Sequence, residues 1–296
     1  MKVFYHIDND GKCAAFWVRA LANKKDDYPL EFYRINYDVE FPLNIIQPNE
    51  QVYIVDYSIM PEQMDKLLAI TENVTWIDHH KSAIERYADY DKGIRGLRYD
   101  GIAGCMLTYC YLTHMTDGGE GEIKPFKESM TEDAPTFTKL IADYDVWTFK
   151  YGEKTRAFTL GFELYDNEPT HEIWYNFLAD IGDGLLKDII SQGKTIISYR
   201  EKFAAEYCEE KGFETELDGH SAFALNLAKV DSHDFDSIDT SKYDMLIGFS
   251  FNGKEWTYSL RSTTVDCAKV AMKYGGGGHK GASGFSTKEL LLKQKD

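Results

Sequence analysis

A carboxylate and two adjacent imidazoles, Asp78-His79-His80, close the β-prone run Val74-Thr-Trp-Ile77. Aspartate and histidine are the usual oxygen and nitrogen ligands of divalent metals. Three further clusters have the same make-up: His6-x-Asp8-x-Asp10-Gly11 ends the apolar run 2–7, Asp56 ends Val52-Tyr-Ile-Val55, and Asp143-x-Asp145 stands at the end of a helical pattern. If the first strand continued through its cluster, His6, Asp8 and Asp10 would share one face at intervals of about 6.6 Å. Gly11 would then let the backbone turn tightly. Each cluster alone has a plainer explanation. The first reads equally as a solvated Asx-rich turn, Asp56 as an N-cap or turn aspartate, and Asp143-x-Asp145 as a surface turn, although acids at a helix C-terminus oppose its dipole.

Together the four are harder to set aside, because three of them close strand-like runs. The carboxyl edge of one open α/β sheet would gather them into a single site. The count of about six to eight ligands suits two metal ions with open water positions. Mn²⁺ matches this mixed nitrogen and oxygen set better than Mg²⁺, which rarely takes imidazole, and Zn²⁺ stays admissible.

A fifth feature is of another kind. Gly275, Gly276, Gly277 and Gly278 precede His279-Lys280-Gly281, and consecutive glycines allow backbone N–H groups to converge on an anion. The GxxxxGK[ST] spacing of a P-loop is absent. Arg261, closing the run 256–260, is a second candidate phosphate clamp, with a surface ion pair as its plainer role. His233-Asp-Phe-Asp236 imitates the first cluster outside any strand end and reads as a solvated loop. No Gly-x-Ser-x-Gly elbow or cysteine-nucleophile setting is present.

The elements that must position these groups alternate. Strand-like runs at 2–7, 30–37, 51–55 and 74–77 are separated by helical patterns at 12–21 and 61–70, the latter with Ser58 as a candidate cap. That alternation predicts a mainly parallel sheet flanked by helices. Helical patterns follow at 101–115 and from 133 or 135 to 142, with an exposed Gly- and Glu-rich loop at 117–122 between them. A long helical pattern over 170–212 is broken mainly by Gly182, Gly184 and Gly193. Beyond Gly212 the texture changes to strands at 221–227, 245–251 and 256–261, with a hairpin turn at Asn252-Gly253 and a helix at 265–274. The last ten residues read as a fraying tail. The expected organisation is an α/β domain over 1–180, a helical linker over 181–213 and a smaller α/β domain over 214–296.

Composition narrows the partners. The formal charge of −16, from 33 Lys+Arg against 49 Asp+Glu, argues against binding long nucleic acid, which needs many phosphate-neutralising cations. It permits a small anionic substrate held locally by metal ions and a few basic side chains. Five cysteines without a CxxC pair read as reduced, buried thiols. No apolar run approaches the ~20 residues that span a bilayer, and the first residues lack a signal-peptide layout. A cytoplasmic protein without membrane partners is expected.

With these residues in view, the chain resembles the DHH phosphoesterase superfamily. Asp78-His79-His80 matches its name-giving triplet; His6, Asp8 and Asp10 match its first motif, Asp56 its second and Asp143 its fourth. The segment from Gly276 through His279 to Gly284 is similar to the signature of the associated substrate-binding domain found in the nucleic-acid and nucleotide phosphodiesterase branch. The first-motif histidine stands two residues before its aspartate, where many members have four. This spacing is closer to the oligoribonuclease-like and RecJ-like branches than to the bifunctional nanoRNase/pAp-phosphatase branch.

The resemblance implies two Mn²⁺ ions, with Mg²⁺ or another divalent ion as substitutes. His6 and Asp8 would hold one, Asp10, His79 and Asp143 the other, and Asp56 would bridge them. Asp143 is preferred to Asp145 because the family acid usually precedes an aromatic by four residues, as Asp143 precedes Trp147. Asp78 would orient an imidazole, His80 would face the substrate, and Arg261 and His279 with Gly276, Gly277 and Gly278 would grip its phosphate in a cleft between domains. The activity implied is two-metal hydrolysis of short oligonucleotides or linear dinucleotides to nucleoside monophosphates, with a homodimer allowed. A pAp phosphatase or cyclic-dinucleotide phosphodiesterase would use the same site with a different pocket. A non-catalytic nucleotide sensor would keep the fold, but no ligand position is substituted here.

Overall fold

The computed structural model describes residues 1–22, 29–37, 39–115, 125–180 and 183–294. The chain divides into two units, Met1–Lys194 and Thr195–Asp296. The loop expected at 117–122 and the break at Gly182 lie outside the described residues.

In the first unit, β1 (Lys2–His6), β2 (Glu31–Ile35), β3 (Val52–Val55) and β4 (Val74–Ile77) form a four-stranded parallel sheet in the order β2-β1-β3-β4. Alternate side chains serve two cores. Val3, Tyr5, Tyr53, Val55 and Ile77 face one, and Phe4, Val52, Ile54, Val74 and Trp76 face the other. A parallel sheet needs both faces covered, and β3 and β4 are accordingly buried throughout. Each fully buried large side chain contributes on the order of 2–3 kcal/mol, so these short strands are held chiefly by what covers them.

The first face is covered by α1 (Asn9–Trp17), and by α4 (Gly104–Cys110), α5 (Thr136–Asp145), α6 (Glu153–Phe162), α7 (Ile173–Ala179) and the start of α8 (Gly184–Lys211). The second is covered by α2 (Pro61–Ile70) and α3 (Lys81–Arg86). The boundary between units falls inside α8, the helix that occupies most of the span expected as a linker. Ser58 does not cap α2. Met60 takes that place, its amide donating to Gln63 Oε1 at 3.1 Å, while the Ser58 hydroxyl donates to Asp78.

The chain leaves β1 for β2 on one side and returns to β3 on the other. The crevice at the carboxyl ends of β1 and β3 is thus the switch point of the sheet, where such folds bind ligands.

The second unit carries β5 (Phe213–Leu217), β6 (His220–Leu225), β7 (Met245–Phe251), β8 (Trp256–Arg261), α9 (Cys267–Met272), β9 (Gly277–His279) and β10 (Ala282–Thr287). Its six-stranded sheet runs β5-β6-β7-β8-β10-β9, antiparallel except for the β6/β7 pair. Two expectations change here. The described part of the tail is tied down rather than frayed: Leu292 is buried and the Lys293 carbonyl accepts from Thr215 Oγ1 at 2.7 Å. Asp234, within the loop read as solvated, is buried and takes both Nε and Nη2 of Arg200, at 2.7 and 2.6 Å.

The glycine run is also built differently from the expected amide cradle. Gly275 has φ of 79° and ends α9, with the amides of Gly275 and Gly276 donating to the Met272 and Ala271 carbonyls. A Cβ on Gly276 would lie 2.1 Å from the Gly284 carbonyl oxygen, so the glycine is required for close packing. Gly277–His279 then forms the edge strand β9, paired with β10.

The five cysteines are buried and free. Among the described residues no helix is long and apolar enough to cross a membrane.

Candidate metal centre

The first cluster is assembled by a strand end and a helix start, not by one strand face. β1 stops at His6, Asp8 is the N-cap of α1, and Asp10 lies in the first helical turn. Asp8 Oδ1 accepts from the Gly11 amide at 2.9 Å, and Asp8 Oδ2 lies 2.6 Å from His6 Nδ1. A Cβ on Gly11 would sit 2.2 Å from the His6 carbonyl oxygen, so only glycine lets the helix start this close to the strand.

Asp10 is buried, and its carboxylate receives the two leading amides of α4, Gly104 N on Oδ2 at 2.7 Å and Cys105 N on Oδ1 at 2.9 Å. A side chain on Gly104 would place its Cβ 2.7 Å from Asp56 Cβ and 3.0 Å from Asp10 Oδ2. Sequence reading missed Gly104 and Cys105, since a glycine opening a helical pattern carries no distinctive spacing.

Asp56 follows β3 with φ of 52°, in the left-handed region, while its amide donates to the Ile77 carbonyl at 2.9 Å. Non-glycine residues there cost about 1 kcal/mol or more, aspartate and asparagine tolerating it best. The side chain is 1% exposed, and among the described residues neither of its oxygens has a hydrogen-bond donor.

His79 Nε2 is the point on which the acids converge: Asp56 Oδ1 lies 3.2 Å away, Asp145 Oδ2 3.4 Å and Asp10 Oδ2 3.8 Å. Asp145 Oδ2 is buried and likewise lacks a hydrogen-bond donor. Asp78, fully buried, accepts from the His79 amide at 2.8 Å and from Ser58, and its Oδ1 lies 2.7 Å from His80 Nδ1. It therefore fixes the His80 ring. Tyr37, which sequence reading also passed over, is 55% exposed beside the site, its ring centroid 6.0 Å from that of His6 and 6.2 Å from that of His80.

Asp143 departs from expectation. Its Oδ1 accepts from Thr148 Oγ1 and from the Lys150 amide at 2.8 Å; its Oδ2 accepts from Thr155 Oγ1 and from the Tyr151 amide at 3.2 Å. With both oxygens engaged by its own loop and helix α6, it is occupied structurally. Asp145, half a turn further on, is the acid that meets Asp10 and His79. The aromatic four residues after Asp143 reflects the loop that this carboxylate anchors.

Three ligand sets result, each with donor atoms within 4.8 Å of one another: His6, Asp8 and Asp56; Asp10, His79 and Asp145; and Asp56, His79 and His80. Asp56 belongs to two of them. His80 joins the third, a place the sequence reading had not given it.

The electrostatics fit a cation. Burial, and then the charges of Asp10, Asp8 and Asp145, push the Asp56 carboxyl well above its ordinary range. Burial and then Asp10 and Asp8 do the same to Asp145. Desolvation works against the charge of Asp8 too, but the His6 imidazole and the Gly11 amide outweigh it and hold the group at about 2. Burial lowers His79 and keeps its ring neutral, as a ligand must be. Burial also acts against a charge on His6 and His80, but their Asp8 and Asp78 partners prevail and raise both. Buried carboxylate oxygens without donors, clustered about a neutral imidazole, are compensated by divalent cations and by little else a protein can bind.

Arg261 and His279 belong to the second unit. Arg261 ends β8, its Nη1 and Nη2 donating to the Leu260 and Val230 carbonyls at 2.9 and 3.2 Å. His279 ends β9 and is exposed, its carbonyl accepting from Ser283 Oγ at 2.6 Å.

No family model matches the chain. The oligoribonuclease NrnB of Bacillus subtilis is 24% identical over 260 residues, which cover 80% of this chain and 59% of that protein. The uncharacterized protein R106 of Acanthamoeba polyphaga mimivirus is 22% identical over 260 residues, 85% of this chain and 56% of its own. The chain thus spans just under three fifths of the curated relatives it matches. Among solved structures, an exopolyphosphatase-related protein from Bacteroides fragilis aligns with a TM-score of 0.52 at 15% identity, over 98% of this chain and 87% of that one. An exonuclease RecJ bound to manganese aligns with a TM-score of 0.50 at 14% identity, over 98% and 86%. These structures share the fold.

Proposed function

We propose that this chain, which belongs to the DHH phosphoesterase superfamily, is a metal-dependent phosphodiesterase that hydrolyses short oligonucleotides or linear dinucleotides to nucleoside monophosphates. The observation that carries this reading is Asp56: a buried carboxylate in left-handed backbone, without a hydrogen-bond donor, shared by two ligand sets. The name of the B. subtilis relative and the fold shared with a manganese-bound exonuclease support the substrate class and the metal.

His6, Asp8 and Asp56 would hold one Mn²⁺, and Asp10, His79 and Asp145 the other, with Asp56 Oδ1 3.2 Å from His79 Nε2 of the second set. When bound, such cations supply Lewis acidity at the phosphoryl group and make water a competent nucleophile at neutral pH. The remaining work belongs to the chain. Asp8 fixes the His6 ring, and the α4 amides fix the Asp10 carboxylate, so that ligands are held before metal arrives. Asp78 holds His80 through Nδ1, leaving Nε2 as the nitrogen that handles a proton at the substrate. Arg261 and His279, in the second unit, are the side chains that would supply phosphate contacts.

The test is direct. The purified chain is given Mn²⁺ or Mg²⁺ and offered labelled two- to five-nucleotide RNA, pAp and a cyclic dinucleotide in parallel. Release of nucleoside monophosphates from the short RNA, fastest with Mn²⁺, is expected. Turnover of none with metal bound overturns the enzyme reading, and preference for pAp or the cyclic dinucleotide overturns the substrate choice.

A further inference from the structure

Just beyond Asp145 the chain does something unfavourable. Trp147 and Phe149 both adopt left-handed backbone, with φ of 57° and 49°, where bulky residues are rare. Trp147 is nonetheless 44% exposed. Strained backbone that holds an indole partly in water is a cost in stability twice over, and such outliers persist where surroundings enforce them.

The enforcement comes from Asp143. Its two oxygens take the Thr148 hydroxyl, the Lys150 and Tyr151 amides and the Thr155 hydroxyl, and its carbonyl accepts from the Thr148 amide at 3.1 Å. The loop is thereby pinned on both sides of Phe149. Its aromatic side chains brace one another: the Trp147 ring centroid lies 4.7 Å from Phe149 at 83° and 5.1 Å from Tyr144 at 68°. Edge-to-face contacts of this kind fix ring orientation.

The position of this shelf gives it a use. Asp145, whose Oδ2 lies 3.4 Å from His79 Nε2, is two residues before Trp147, a chain reach of at most about 7 Å. A braced aromatic side chain whose backbone lies two residues from a ligand of the proposed phosphodiesterase centre suits a planar, apolar-faced group covalently attached to the phosphate's sugar. Aromatic side chains stack on nucleobases without regard to sequence, because every base has a π face.

We propose that Trp147, braced by Phe149 and Tyr144, stacks a nucleobase of the substrate, and that Asp143 is the positioning residue that holds the shelf. This rests on the proposed phosphodiesterase reading and adds the recognition of a base to it. It would also let the chain hold short strands without a basic track, one stacked base replacing several phosphate contacts.

The experiment compares the whole Mn²⁺-loaded chain with its Trp147→Ala and Trp147→Phe variants on a 5′-phosphorylated ribodinucleotide and on two abasic versions, each lacking one base. Trp147→Ala should raise KM for the intact dinucleotide by about 5- to 150-fold, the value of one stacked base, with kcat little changed. It should have no effect on the abasic dimer that lacks the stacked base, and Trp147→Phe should recover most of the loss. An equal loss on all three substrates, or none on any, overturns the proposal while leaving the phosphodiesterase reading intact. Binding is read separately by tryptophan fluorescence, titrating with 5′-AMP and with ribose 5-phosphate. Of the chain's five tryptophans, the quench should come from Trp147. It should appear with 5′-AMP only and vanish in Trp147→Phe. If the chain cleaves no phosphodiester, this titration decides the shelf by itself, and an equal quench in both proteins refutes it.

Discussion

Asp56→Asn should make the metal-free protein more stable and the metal-loaded protein useless. Asparagine tolerates the left-handed backbone at this position nearly as well as aspartate, so the substitution leaves φ of 52° undisturbed. No hydrogen bond to the side chain is lost, because neither Asp56 oxygen receives one. What disappears is a buried charge among acids. Donor atoms of Asp8 and Asp56 lie within 4.8 Å, and two full charges at that distance repel by about 3 kcal/mol at an effective dielectric constant near 20. Because burial and the neighbouring acids already favour protonation of Asp56, part of that repulsion is never felt, and about 2 kcal/mol is the expected gain.

For a unit of 194 residues that corresponds to a Tm higher by ~4–8 °C in EDTA. The pH dependence follows in sign. A carboxyl whose folded pKa is raised favours the folded state below its unfolded value near ~4 and loses that advantage as pH climbs through the folded pKa. The metal-free wild type should therefore lose stability relative to Asp56→Asn as pH rises from ~4 toward neutrality. Added Mn²⁺ should reverse the order, raising the wild-type Tm more than the variant's. Scanning fluorimetry in EDTA and in Mn²⁺, across pH, measures all of this. A variant less stable than wild type in EDTA, or one that gains as much from Mn²⁺, refutes the account of Asp56.

Gly104→Ala forces a Cβ to within 3.0 Å of both Asp56 and Asp10, and should lower kcat/KM by ~100-fold through misplaced ligands while costing about 1–3 kcal/mol of stability. Mn²⁺ titration and denaturant unfolding separate the two effects, and a variant with normal metal affinity would show that the close approach is dispensable. Asp143→Asn and Asp145→Asn should split cleanly. Asp143→Asn keeps one acceptor oxygen and replaces the other by a donor, stranding two of the four donors, and should destabilise by ~2–3 kcal/mol with Mn²⁺ affinity kept. Asp145→Asn should abolish binding of one Mn²⁺ with stability kept or raised; calorimetric titration that shows the reverse pattern would return the metal role to Asp143.

The parts of the site that could be read from the sequence are those that end strands. β3 and β4 are short β-prone runs that read as strands, so Asp56 and the Asp78-His79-His80 triplet fell at a carboxyl edge. The first cluster was found for a reason that proved incomplete. Its spacing suggested a shared strand face, whereas Asp8 caps a helix and Asp10 enters it, an outcome decided by the close approach of Gly11 to His6. Asp143 and Asp145 differ only in which way a helical side chain turns, and no local pattern encodes that. The distinction came from donors at Thr148, Lys150, Tyr151 and Thr155, all of them downstream. Gly104 was passed over and Ser58 read as a helix cap for a similar reason: each matters through contacts made across the fold, with Asp10 and with Asp78. The glycine run misled by composition, since glycine serves tight packing and helix termination as readily as anion binding.

The left-handed backbone at position 56 also bears on how this fold can change over evolutionary time. Only glycine, asparagine and aspartate sit there comfortably, and a single base change converts an aspartate codon to either of the others. The mutations most accessible at this position are therefore ones that discard the cations and keep the folded chain. On the proposed function, a gene duplicate could lose hydrolysis and keep the fold in one step, with stability rewarding the loss.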